Sequence, residues 1–208
     1  MPAYLEPYRK AVARLGAGFE ALLWADRPSQ VARFETIAAM TELQGRRVLD
    51  LGCGRGDLPL FLRERGIRPR AYVGVDALPE MVRESARVCA TLGWCRYVHA
   101  DFAVDEALLP SLAGEADVVI FCGSLNTMPW PQACACLERA WASLRTGRLV
   151  FNFLSSRAGG TSTGPGLGPA LRFDPIEVLE WSLGRTTRVA FRQDYLPQND
   201  ATITLARA

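Results

Sequence analysis

Apolar residues recur at helical intervals over the first 44 positions and then give way to short continuous runs. Between about Leu5 and Leu23, Val12, Leu15, Phe19, Leu22 and Leu23 follow helical spacing, weakened in the middle by Gly16 and Gly18. Ser29 is the expected N-cap of a second helix reaching about Leu43. Val31, Phe34, Ile37 and Met40 lie along it, and Gly45 follows its end. Strands are then expected at Val48–Leu51, Tyr72–Val75, Arg96–His99, Asp117–Cys122 and Leu149–Leu154. Helices are expected at Asp57–Arg65, from Pro79 to a stop at Gly93, at Glu106–Leu112 and at Pro131–Leu144. Apolar strands separated by helices predict a parallel sheet covered on both faces.

The tail departs from this alternation. Ser155 to Phe173 holds five glycines and reads as a long loop, of a length that usually has a function. Asp174 and Pro175 then start a helix ending at Gly184. Arg188–Leu196 and Thr202–Ala206 read as a final hairpin turning at Pro197–Asp200. Residues 1–44 are therefore expected to form an N-terminal helical cover, and 45–208 the main domain.

Composition narrows the class. With 208 residues, 49% hydrophobic and 22% charged, the chain is an ordinary globular domain, not a disordered one. A net charge of +2 provides no strong field toward nucleic acid or an anionic membrane. The basic set is 23 Arg and the single Lys10, scattered along the chain. No apolar run approaches the ~18 residues of a membrane span, and the N-terminus lacks a signal-peptide layout, so a cytoplasmic protein is expected. The six cysteines (53, 89, 95, 122, 134, 136) fall inside expected core elements, which favours reduced thiols over disulfides. One histidine and an isolated Cys134-x-Cys136 pair argue against a metal site.

The segment Val48–Asp57 carries the chemistry. A strand ends in a turn with Gly52, Gly54 and Gly56 that opens a helix. Such turns bring a ligand close to the main chain at the carboxyl ends of parallel strands. The spacing is G-x-G-x-G, whereas the dinucleotide fingerprint is G-x-G-x-x-G. Asp57 at the helix start would repel a pyrophosphate and tolerate an ammonium group. Asp50, in the buried strand, needs partners, either loop amides or a ligand ammonium through water. Asp76, at the end of the second strand, is placed to accept from both ribose hydroxyls; the alternative is a helix cap before Pro79. Asp101 can accept from an adenine amino group and Phe102 can cover the base, or Asp101 is a solvated carboxylate. His99 reads as structural.

On these residues the chain resembles the class I S-adenosylmethionine-dependent methyltransferases. Val48–Asp57 is similar to the first motif of that superfamily, Tyr72–Val82 to the second, and Asp101-Phe102 to the adenine-binding position. Asp117–Gly123 and Gly147–Phe151 are similar to its fourth and fifth strands. The resemblance covers about residues 45–208. It implies a Rossmann-like, doubly wound α/β fold, with a mostly parallel seven-stranded sheet and a C-terminal antiparallel hairpin. It also implies S-adenosyl-L-methionine as cofactor, held by Asp50, Gly52, Cys53, Gly54, Gly56, Asp76, Ala77, Asp101, Phe102 and Gly123. Trp24–Gln30 with Arg33-Phe34 is similar to the entry segment of a group of bacterial methyltransferases. In that group Ser-Gly-x-x-Asn follows the fourth strand; here Cys122-Gly123-Ser124-Leu125-Asn126 departs at the first position. Arg33 is either a surface charge or a clamp on the cofactor carboxylate. Trp24, Asn126 and Asn152 are expected at the substrate, while Tyr4 and Tyr8 read as packing residues.

The resulting expectation is methyl transfer to a small-molecule acceptor, with no nucleic-acid or membrane partner. No residue stands out as a dedicated base, and the oligomeric state is unreadable. An NAD(P)-dependent oxidoreductase and a non-catalytic S-adenosylmethionine-binding protein are the alternatives. An Asn-Pro-Pro-Tyr/Phe run is absent, which counts against adenine or glutamine as acceptor.

Overall fold

The computed structural model describes residues 2–157, 169–197 and 200–207. They form α1 (Glu6–Leu15), α2 (Arg27–Met40), β1 (Arg47–Leu51), α3 (Asp57–Glu64), β2 (Ala71–Asp76), α4 (Pro79–Val88), β3 (Cys95–His99) and α5 (Leu108–Leu112). There follow β4 (Val118–Phe121), α6 (Trp130–Ser143), β5 (Arg148–Ser155), β6 (Arg172–Phe173), α7 (Pro175–Leu183), β7 (Val189–Arg192) and β8 (Asp200–Ala206). The sheet order is β3-β2-β1-β4-β5-β8-β7, with β6 paired to the end of β5. The strands from β1 to β5 run parallel, and β8 is antiparallel to both β5 and β7. This is the expected Rossmann-like α/β fold. The two-residue β6 is an addition to the expected seven strands.

The two-residue period of the strands divides the core. Leu49, Leu51, Val119, Phe121, Leu149, Phe151 and Phe153 pack with Leu137, Ala140 and Trp141 of α6 and with Trp181 of α7. Val48, Tyr72, Val118, Ile120 and Val150 pack with Phe34 and Ile37 of α2 and with Leu58, Phe61 and Leu62 of α3. Each such fully buried side chain contributes about 1.5–3 kcal/mol of burial. Asp50 and Asn152, each next to core-facing residues of the first set, share the α2–α3 side by parity. No helix among the described residues is long and apolar enough to cross a membrane.

Several boundaries differ from the sequence pattern for local reasons. The helix expected over 5–23 breaks after Leu15, where Gly16 donates to the Val12 carbonyl at 2.8 Å; a 3-10 turn, Phe19–Leu22, follows. Asp26, not Ser29, caps α2: its carboxylate accepts from Ser29 N at 2.7 Å, and Ser29 Oγ donates back to Asp26 O at 2.9 Å. Pro28 suits the first helical turn, so the cap lies upstream of it. The helix α4 ends at Val88, short of Gly93. Within the expected 155–173 loop, Arg172–Phe173 pairs with Leu154–Ser155. Residues 158–168 of that loop and residues 198–199 of the expected hairpin turn lie outside the described residues.

The chain passes from β1 outward through β2 and β3, then returns to β4 and β5 on the other side of β1. The strand order therefore reverses between β1 and β4. A crevice outside the carboxyl ends of the strands at this switch point is where open α/β sheets bind ligands.

Candidate active site

A cleft of about 980 Å³, its open mouth included, lies at that switch point. One side is built from strand ends. Gly52 and Gly54 follow β1, Asp76 and Ala77 end β2, Asp101 and Phe102 follow β3, and Cys122–Ser124 follow β4. Tyr4, Tyr8, Leu22, Leu23 and Trp24 come from the N-terminal segment, and Asn126, Thr127, Met128, Pro169 and Ala170 complete the wall.

Two glycines make the cleft possible. Gly52 has φ +83°, and a Cβ there would stand 2.3 Å from Ser124 Cβ. Gly123 has φ +74°, and its Cβ would stand 2.5 Å from Trp24 Cη2. The bare backbone lets β1 and β4 end side by side and lets the Trp24 ring lie on the β4 turn.

The carboxylates are held in distinct ways. Asp76 accepts from Gly54 N and from Leu78 N, both at 2.9 Å. It thus ties the glycine turn to the start of α4 while still facing the cleft. Burial pushes its carboxyl up to about 6 against the pull of those amides. Asp101 accepts from the Tyr4 hydroxyl at 2.6 Å to both oxygens, and Oδ1 also accepts from Ala103 N at 3.0 Å. Phe102 is buried and meets Phe121 edge-on at 5.3 Å. Asn126 is buried; its backbone carbonyl accepts from Leu171 N at 2.6 Å, and its Oδ1 has no partner among the described residues.

A smaller adjoining cleft of about 300 Å³ shares Trp24, Gly52 and Gly54 and adds Gln30, Asp50, Cys53 and Asp57. Asp50 takes its hydrogen bond from the Tyr72 hydroxyl rather than from loop amides. Burial lifts its carboxyl to about 7, and its Oδ1 has no partner among the described residues. Asp57 accepts from Gln30 Nε2 at 3.0 Å and pairs with Arg55 at 3.1 Å.

The remaining expected site residues stand behind the lining. Gly56 sits under Cys89, Ser85 and Tyr97. Arg33 is buried, so it is not a surface charge. It pairs with Asp200 of β8, donates to Ser29 O at 3.0 Å and lies 4.6 Å over the Trp24 ring. Asn152 is buried in β5, where Oδ1 accepts from Gly123 N at 2.7 Å; it fixes the β4 turn instead of facing the cleft. His99 is exposed, with Nε2 at 3.2 Å from Ala77 O. Tyr4 corrects the packing reading: its ring is buried and its hydroxyl belongs to the site. No sequence signal marks it, since its partner lies 97 residues away. Burial lifts Tyr8 and Cys122 to about 12, so both stay protonated near neutrality. Among the described residues, no group of three or more His, Cys, Asp and Glu is placed to hold a metal ion.

Residues 48–147 match the family described as methyltransferase domain. The chain is 30% identical over 121 residues to a carboxy-S-adenosyl-L-methionine synthase of Trichlorobacter lovleyi, covering 58% of this chain and 49% of that protein. It is 34% identical over 114 residues to a ubiquinone biosynthesis O-methyltransferase of Xanthomonas axonopodis pv. citri, covering 54% of this chain and 44% of that protein. The matched part thus spans about half the length of these curated relatives.

Among solved structures, the CcbJ methyltransferase of Streptomyces caelestis superposes with TM-score 0.65 at 16% identity, over 97% of this chain and 98% of that one. The Haemonchus contortus phosphoethanolamine N-methyltransferase 1, in complex with phosphoethanolamine and S-adenosylhomocysteine, superposes with TM-score 0.72 at 13% identity, over 99% of this chain and 49% of that one. The chain thus shares the fold of these solved methyltransferases, and a little under half of it, residues 48–147, matches the methyltransferase domain family.

Proposed function

We propose that this protein transfers the methyl group of S-adenosylmethionine to a small-molecule acceptor bound in the same cleft. One observation carries the reading. The glycine turn, Asp76 and Asp101 line the same continuous cavity as Tyr8, Trp24 and Asn126. The residues present suit the cofactor: the turn has no room for side chains at Gly52, and Asp76 keeps lone pairs facing the cleft after meeting its two amides. Gly52 and Gly54 would admit the methionine portion, Asp76 would accept from the ribose hydroxyls, and Asp101 with Phe102 would hold the adenine. Asp50, through its unpartnered oxygen, would face the ammonium group from the adjoining cleft. Once bound, the cofactor supplies a sulfonium methyl carbon open to in-line displacement by an acceptor lone pair.

The chain's own share of catalysis is placement and exclusion of water. Trp24, pinned between Gly123 and the Arg33 guanidinium, walls the cleft with an apolar ring. Tyr8 and Cys122, protonated near neutrality, offer no base there. The ubiquinone-biosynthesis and phosphoethanolamine relatives, named for small molecules, support a small acceptor. The test is incubation with methyl-labelled S-adenosylmethionine and a cell metabolite extract, read by mass spectrometry. A labelled small metabolite that requires the intact protein is expected. Cofactor binding without any labelled product would favour a non-catalytic binding protein.

A further inference from the structure

Resting on that reading, the cleft as a whole has a charge character that bears on the acceptor. None of the described lining residues is Lys, Arg or His, while two carboxylates, Asp76 and Asp101, face the same cavity. Arg33, close behind Trp24, is already engaged by Asp200. Residues 158–168 contain no Asp, Glu, Lys, Arg or His. A carboxylate or phosphate placed here would be desolvated with no basic side chain of the described lining to meet it and two carboxylates in the same cavity.

A polar atom of the lining that has no partner among the described residues is neutral. Asn126 is 8% exposed, lines the cleft and holds a buried Oδ1 with no partner among the described residues. A buried acceptor left unmade is costly, and a site built this way selects a ligand that brings the missing donor. Tyr8, Trp24, Leu23 and Met128 line the same cavity and offer aromatic and apolar surface.

We propose that the acceptor carries no negative charge and is a flat, largely apolar molecule presenting an N–H or O–H group to Asn126 Oδ1. The proposal separates acceptors by charge, which neither the fold nor the cofactor set does.

The experiment uses the full chain saturated with S-adenosylhomocysteine, whose binding is measured first. If that product fails to bind, the methyltransferase reading falls and the proposal that rests on it falls too. With it bound, a library of aromatic fragments in equal neutral, cationic and anionic sets is screened by ligand-observed NMR. Matched molecules such as 4-hydroxybenzyl alcohol, tyramine and 4-hydroxybenzoate belong to the three sets. Hits are expected among the neutral and cationic fragments, with anionic partners binding about tenfold or more weakly. Asn126→Arg, which adds the missing cation, should shift the preference toward the anionic set. Anionic fragments binding wild type as well as their neutral partners would overturn the proposal, as would a cleft that binds none of the library.

Discussion

The hydroxyl of Tyr4 donates to both carboxylate oxygens of Asp101 at 2.6 Å, bridging 97 residues of sequence. It ties the N-terminal segment across the cleft to the end of β3. The carboxylate has room for this donor, for Ala103 N and for one more. Tyr4→Phe keeps the buried ring and removes the tie. It should lower stability by about 1.5–3 kcal/mol, the range for a hydrogen bond to a charged group. Amides of residues 2–8 should exchange faster by hydrogen-exchange mass spectrometry. Unchanged exchange there would mean that the apolar ring alone holds the segment.

Asp76 serves the turn and the ligand together. Asp76→Ala should weaken S-adenosylhomocysteine binding by about 1.5–3 kcal/mol. Asp76→Asn keeps one carbonyl acceptor and should lose less. Calorimetric titration of both variants checks the order. A stability collapse with unchanged affinity would make Asp76 a cap alone.

Arg33 and Asp200 form a buried pair, 6% and 1% exposed, that joins α2 to β8 beneath Trp24. Removing one partner of such a pair strands the other charge. Asp200→Ala should cost about 3–5 kcal/mol in denaturant unfolding. A loss below ~1 kcal/mol, the level of a surface pair, would contradict this placement.

Stability should depend on pH with an inverted sense for carboxylates. Folding raises Asp76 from 3.8 to about 6 and Asp50 to about 7, chiefly by burial. The folded chain therefore holds protons that the unfolded chain has released. This contribution is fully present below the ordinary carboxylate value and is lost as pH rises through about 6 and 7. From these groups, the melting midpoint of the ligand-free protein should fall between about pH 4 and pH 7. Asp50→Asn should flatten the fall, and a midpoint that rises over this window in wild type and variant alike would contradict it.

The parts of the cleft lining that backbone topology dictates are legible in the sequence, which leaves out what depends on distant pairing. Gly52, Asp76, Asp101 and Gly123 sit at strand ends, and strand ends show as the points where apolar runs stop. Arg33 meets Asp200 from 167 residues away, so no local pattern distinguishes a buried ion pair from a surface charge. Asn152 lies at a carboxyl-end strand position like the lining residues, yet strand parity turns it onto the Gly123 amide. Helix ends went astray where small polar residues compete to cap, as Asp26 and Ser29 do.

Gly52, Gly54, Asp76 and Asp101 in one cleft point to S-adenosylmethionine as its ligand. Isothermal titration of the full chain with S-adenosylhomocysteine, and separately with NAD and NADP, tests it most directly. The prediction is one-to-one binding of S-adenosylhomocysteine that weakens in Asp76→Ala, with no comparable heat from either dinucleotide. Tight dinucleotide binding together with no response to S-adenosylhomocysteine would contradict it and favour an oxidoreductase on the same sheet.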